Sequence, residues 1–210
     1  DQERSCKGSI SKSRSELVME NIAFIIGNGK SRESLELNTL RGAGTIFGCN
    51  ALYRDFEPDF LVAIDDGIIT EVYNSGFSKD KILIPPLDER WEPEECNPNR
   101  PRSNAGINAM REAIKKGFTD LVCFGFDFII QDKDQSISNI YDGTSNYGPE
   151  TRASFWDNPG RMRYLNWTIQ KNPSTSFIFV FPKDSQVWLP KLTNVYATSY
   201  DNFYSNLKEE

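Results

Sequence analysis

The feature that most constrains this chain is a run of five apolar residues, Ile22-Ala23-Phe24-Ile25-Ile26, that breaks off at Gly27-Asn28-Gly29. A strand with one wetted face alternates apolar and polar residues. An unbroken apolar run needs cover on both faces, as a parallel strand between two helical layers has. The pattern recurs in Thr45-Ile46-Phe47-Gly48-Cys49-Asn50, in Phe60-Leu61-Val62-Ala63-Ile64-Asp65-Asp66 and in Leu121-Val122-Cys123-Phe124-Gly125-Phe126-Asp127, each closing on Asn or Asp. Ser176-Phe177-Ile178-Phe179-Val180-Phe181 is a further strong strand, and shorter ones are expected at Ile82-Leu83-Ile84 and at 194–197.

Between these runs the period changes. Ile107, Met110, Ala113 and Ile114 recur at helical spacing within 104–116, with Gly117 as the stop, and Met162, Leu165 and Ile169 do so within 161–171. Strands alternating with helices predict an α/β, Rossmann-like open sheet of six or seven mainly parallel strands with helices on both faces. Residues 1–20, with Ser5, Ser9, Ser11, Ser13 and Ser15, read as a polar N-terminal arm, and 21–210 as a single domain. The proline-rich stretch 85–101 reads as a surface excursion. The segment 131–158, rich in Asp, Ser, Asn, Gly and Tyr, is too long for an ordinary connection and reads as a lid-like loop.

Charge and composition exclude several classes. A net charge of -6 argues against broad nucleic-acid binding, which needs a clustered basic face, and Arg100-Pro101-Arg102 is too small to supply one. No apolar run approaches the ~20 residues that span a bilayer, so a cytoplasmic protein is expected. Cys6, Cys49, Cys96 and Cys123 lack metal-ligand spacing, and Cys49 and Cys123 sit inside strands as small apolar residues. There is no histidine, so any chemistry must use other groups.

In an open parallel sheet, ligands bind beyond the carboxyl ends of the strands. Asn28, Asn50, Asp65 and Asp127 close four strands there. Gly27-Asn28-Gly29-Lys30-Ser31 has the small residues that let backbone amides approach a phosphate. It is neither a P-loop, since Phe24 stands where a glycine is required, nor a dinucleotide fingerprint, since Arg32 replaces the third glycine.

Together with Phe47-Gly48-Cys49-Asn50, Asn104-Ala105-Gly106-Ile107 and Phe124-Gly125-Phe126-Asp127-Phe128, this turn resembles the bacterial lipo-oligosaccharide sialyltransferases over roughly residues 22–130. The resemblance implies a glycosyltransferase that binds a CMP-sugar donor without a metal. It puts Asn28 and Asn50 near the donor phosphate and ribose, beside Gly27, Gly29 and Ser31. Asn104 and Gly106 fall near the cytosine and Asp127 at the cleft floor, where Asp127 reads equally as a cap on the following turn. The family's histidine base is missing, and Ile129 and Ile130 stand where its phosphate-binding tyrosines lie. Tyr141 and Tyr147 are the candidates for phenolic hydrogen bonds, and Asp142 and Glu150 for proton acceptors. A module that binds a nucleotide but has lost catalysis is the alternative.

A weaker similarity, carried by the G-N-G-x-S turn and Leu61-Val62-Ala63-Ile64-Asp65, is to the archaeal-type 6-hydroxymethylpterin diphosphokinases. It implies ATP-dependent pyrophosphoryl transfer with Mg²⁺ held by Asp65 and Asp66, which otherwise read as an exposed turn. The expected partners are a nucleotide or nucleotide-sugar and a glycan acceptor, with no nucleic acid; no cofactor is required outside the Mg²⁺ alternative. Similar stand-alone chains occur among phage and metagenomic sequences, which implies a role on surface or virion glycans from within a host cytoplasm.

Overall fold

A computed structural model describes residues 21–91 and 104–208. The arm at 1–20, the latter part of the proline-rich excursion, Cys6, Cys96 and the Arg100-Pro101-Arg102 cluster lie outside the described residues. Seven strands form one sheet: β1 (Ile22–Ile26), β2 (Thr45–Cys49), β3 (Phe60–Val62), β4 (Ile82–Leu83), β5 (Asp120–Phe124), β6 (Ser176–Phe181) and β7 (Val195–Ser199). Every neighbouring pair is parallel, in the order β4-β3-β2-β1-β5-β6-β7. The α/β, Rossmann-like reading is thereby met, with a sheet that is wholly parallel.

The apolar runs are buried on both faces, as their lack of alternation requires. Ala23, Ile25, Phe47, Cys123, Phe177 and Phe179 face one layer, made by α3 (Ala105–Lys115) and α4 (Asn158–Lys171) through Ile107, Met110, Ala113, Tyr164, Leu165 and Ile169. Phe24, Ile26, Ile46, Phe124 and Val180 face the other, made by α1 (Asp66–Asn74) and α5 (Tyr200–Lys208) with the short 3-10 turns that contribute Leu40 and Leu52. Each such side chain taken fully from water contributes about 1.5–3 kcal/mol. A single helical turn, α2 (Leu87–Arg90), precedes the gap in the described residues.

Two helices had no counterpart in the sequence reading. Asp65 and Asp66 open α1 rather than a free turn, and Tyr200, Phe203 and Tyr204 make the inner face of α5. The helix read at 161–171 starts earlier, at Asn158, with a proline in its first turn. No helix among the described residues is long and apolar enough to cross a membrane.

The strand order positions the site. From β1 the chain adds β2, β3 and β4 outward on one side, then crosses back to lay β5, β6 and β7 on the other. The sequence order therefore reverses between β1 and β5, and the segments leaving these two strands diverge and open a crevice there. Residues 131–158 lie across it rather than standing off in solvent: Ile140 N–H bonds the Asn28 carbonyl at 2.9 Å, and Tyr141 is buried.

Candidate functional site

The crevice between β1 and β5 is built on close backbone contact. Gly27 N–H donates to the Phe124 carbonyl at 2.8 Å, and Gly29 N–H to the Gly125 carbonyl at 3.1 Å. A Cβ on Gly27 would lie 2.6 Å from the Gly125 oxygen, and one on Gly29 would collide with the Asp127 carboxylate. Gly125 itself needs its positive φ of 69°. The glycines are thus required by packing between the two strand ends.

Asp127 is almost fully buried and accepts the Ser31 N–H at 3.0 Å, the Ser31 hydroxyl and the Ser138 hydroxyl at 2.9 Å, with the Lys30 N–H beside it. Burial raises its pKa, and these donors pull the other way. Of its two readings, the cap on the following turn is what these bonds describe. The expected phosphate cradle needs a correction for the same reason: the N–H groups of Gly27, Gly29 and Ser31 already have protein acceptors.

The asparagines that close β1 and β2 brace neighbouring strands. Asn28 Nδ2 donates to the Cys49 carbonyl at 3.0 Å, while its Oδ1 accepts from Arg32 at 3.3 Å. Asn50, in the left-handed conformation that asparagine tolerates (φ 46°), donates Nδ2 to Asp65 at 2.6 Å and accepts the Ile64 N–H at 3.2 Å. Asn104 caps α3 by accepting the Ile107 N–H at 3.0 Å, and Gly106 allows the Phe126 ring against the first turn, where a Cβ would come within 2.8 Å.

These residues surround one cleft of about 260 Å³. Gly27, Asn28, Gly29, Asn50, Asp65, Asn104, Gly106 and Asp127 line it, joined from the loop by Asn139, Asp142, Tyr147 and Arg152 and from α4 by Arg161. Ser31 is not part of this wall; its hydroxyl is turned to Asp127 and it edges a shallower hollow with Lys183 and Asp184. The four catalytic candidates separate. Asp142 and Tyr147 reach the cleft, Asp142 as the 3.7 Å ion-pair partner of Arg152. Tyr141 turns inward to Arg32, and Glu150 is exposed away from the cleft.

The Tyr147 hydroxyl is buried and meets no hydrogen-bond partner among the described residues. Burial, with the Asp65 charge, pushes its pKa up to about 12; Asn28, Asn50 and the Ala51 N–H are close enough to oppose this without reaching bonding geometry. Burial raises Tyr141 as well, so neither phenol is a base near neutral pH. Asp65 remains open to solvent at the mouth, yet the surrounding protein raises its pKa against the Asn50 hydrogen bond.

The Mg²⁺ pair does not assemble. One oxygen of Asp65 already holds the Asn50 amide, whereas Asp66 is 94% exposed and leans toward Arg90 at 3.5 Å. Among the described residues no third Asp, Glu, His or Cys joins them.

Arg152, Arg161, Asn139 and the buried Arg32 were not singled out in the sequence; nothing in the local pattern separates them from solvated side chains. The cleft carries groups of both kinds: the carboxylates of Asp65 and Asp142 as acceptors, and the Arg152 and Arg161 guanidinium groups, the Tyr147 phenol and the side-chain amides of Asn104 and Asn139 as donors. Such a surface suits a ligand that offers hydroxyl donors as well as acceptor oxygens.

No family model, curated protein or solved structure matches this chain. The fold and the site define its class: a Rossmann-like α/β protein with a polar cleft at the point where its strand order reverses.

Proposed function

We propose that this cleft binds a nucleotide and that the protein is a sialyltransferase-like glycosyltransferase using a CMP-sugar donor. The observation that supports this most is convergence. Residues named from four separate stretches of sequence, Gly27-Asn28-Gly29, Asn50, Asn104 with Gly106, and Asp127, meet on one wall. On this reading Asn104 and Gly106 receive the base, Asn50 and Asp65 the ribose hydroxyls, and Arg152 and Arg161 the leaving phosphate. Asp142 takes the proton of an acceptor hydroxyl as its oxygen bonds to the anomeric carbon and the sugar–phosphate bond breaks. Tyr147 donates its hydrogen bond to the departing CMP.

The ion pair of Asp142 with Arg152 and the absence of histidine favour a second reading, a nucleotide-binding module without transfer activity. Calorimetric titration with CMP, UMP, AMP and ATP, each with and without Mg²⁺, tests the binding; incubation with CMP-sialic acid and a glycan acceptor tests the transfer. Metal-independent binding of CMP with release of CMP from the donor is the expected result. Binding without release leaves the module. Binding of ATP alone, and only with Mg²⁺, would overturn the CMP-sugar reading in favour of phosphoryl transfer.

A further inference from the structure

Arg32 is only 6% exposed and lies behind the Gly27–Gly29 turn, outside the cleft. An arginine guanidinium carries its charge in proteins, yet the hydrogen-bond partners of this one are all uncharged. Nε donates to the Gly27 carbonyl at 2.6 Å, and a terminal nitrogen donates to Asn28 Oδ1 at 3.3 Å and to the Tyr141 hydroxyl at 3.4 Å. Among the described residues no carboxylate forms an ion pair with it. Asp55 faces the Tyr141 hydroxyl instead. Opposite charges lie at longer range among the described residues: Asp55 acts on the same Tyr141 hydroxyl as Arg32, and Asp127 on the same Tyr200 phenol. An anion in the cleft would add to that balance.

The bond to Gly27 also fixes the other end of the same peptide unit. No peptide in the described chain is cis, and in a trans peptide the carbonyl and the following N–H point in opposite directions. With Gly27 O held by Arg32, Asn28 N–H points away from the guanidinium, within a turn whose residues line the cleft. This amide is also the uncommitted one. Gly27 and Gly29 donate to β5 and its loop and Ser31 to Asp127, with the Lys30 N–H beside the same carboxylate, whereas Asn28 N–H meets no acceptor among the described residues.

We infer that Arg32 is a positioning residue for a phosphate group: it holds the Gly27–Asn28 peptide at the wall of the cleft and supplies, from behind the turn, positive charge that favours an anion there. The identity of the ligand as a nucleotide rests on the function proposed above; the preference for an anion rests on the buried charge of Arg32. Arg32 touches no ligand atom, so its effect is on charge selectivity rather than on recognition of the base or sugar.

The test compares CMP with cytidine by calorimetry in the wild type, Arg32→Gln and Arg32→Lys, with circular dichroism to confirm folding. A unit charge roughly 10 Å from an anion, at an effective permittivity of about 20, changes affinity on the order of tenfold. The preference for CMP over cytidine should therefore fall about tenfold in Arg32→Gln while cytidine affinity holds, and Arg32→Lys should keep most of it. An unchanged ratio in Arg32→Gln, or an equal loss for both ligands, overturns the inference. If the wild type binds neither ligand, the nucleotide reading fails and inorganic pyrophosphate becomes the probe. Thermal stabilisation by pyrophosphate in the wild type, absent in Arg32→Gln, then upholds the role of Arg32, and no stabilisation of the wild type overturns it. If Arg32→Gln does not fold, the wild type and Arg32→Lys decide: both must prefer the phosphorylated ligand, and indifference in either sinks the idea.

Discussion

The Asp127 carboxylate accepts the Ser31 N–H at 3.0 Å across 96 residues of chain, which ties the loop leaving β5 to the turn leaving β1. The same carboxylate reaches Ser138 in the loop that covers the cleft, so three segments meet on one buried acid. Truncating it leaves several donors unsatisfied, each costing about 1–3 kcal/mol. We expect Asp127→Ala to lose about 3 kcal/mol in urea unfolding and Asp127→Asn roughly half of that. A loss below about 1 kcal/mol for the alanine variant would show that this carboxylate is not the tie.

Tyr147 gives the opposite sign. Its hydroxyl is buried without a partner, so removing it lifts a desolvation cost rather than breaking a bond. Tyr147→Phe should leave the ligand-free protein unchanged or up to about 1 kcal/mol more stable, an upward shift of about 2–4 °C in Tm. It should also weaken CMP binding. A drop in stability of about 1 kcal/mol or more means that the hydroxyl has a protein partner.

Strands β1, β2, β3, β5 and β6 were legible because a parallel sheet demands apolar runs, whereas β4, two residues long, and β7, with two exposed residues, showed only as short strands. Helix α1 was not legible, since only Ile68 and Val72 of its nine residues are buried, too few to mark a face. The site was legible as a set of positions but not as a set of roles. Asn28 and Asn50 stand at the cleft, yet the amide chemistry that suits a ribose suits an adjacent strand end equally, and most of theirs goes to Cys49, Ile64 and Asp65. Tyr141 and Tyr147 look alike in sequence. Only the course of the loop sends one to Arg32 and the other to the cleft. Arg32 itself is one charged residue in a polar turn, and no local pattern tells a buried arginine from a solvated one.

Asp65 makes stability depend on pH in a defined direction. Its folded pKa is raised, first by burial and further by Asp66, with the Asn50 bond opposing. The folded state then binds the proton more tightly than the unfolded chain, whose aspartate titrates near ~3.9. The favourable contribution is fully present below that value and is lost as pH rises through the folded pKa. The stability of the wild type relative to Asp65→Asn should therefore decline from about pH 4 upward and then level off. Urea midpoints for both proteins between about pH 3.5 and 8 measure it, and a difference that rises with pH contradicts the assignment.

Glu71 behaves in the reverse sense and bears on the loop that carries Tyr147. It accepts from the Tyr53 hydroxyl, from Arg54 at 2.6 and 2.7 Å and from Asn146 at 2.6 Å, while Arg54 also holds Thr144 Oγ1 at 2.7 Å and the Ser145 carbonyl at 2.8 Å. Burial works against the charged form of Glu71, but these donors outweigh it and its pKa is lowered. The stabilisation it gives is present above the unfolded glutamate value of ~4.3 and is lost as pH falls through the folded value. A partly exposed pair of this kind contributes on the order of 1 kcal/mol, so Glu71→Ala should speed amide exchange of residues 144–147 about fivefold at neutral pH. The amides of β1 and β5 should not change. As pH falls, the variant and the wild type should converge once intrinsic exchange rates are corrected. Faster exchange throughout the sheet would mean that Glu71 supports the whole fold rather than seating this loop, and no change at 144–147 would mean that the loop is held by Tyr141 and Ile140 alone.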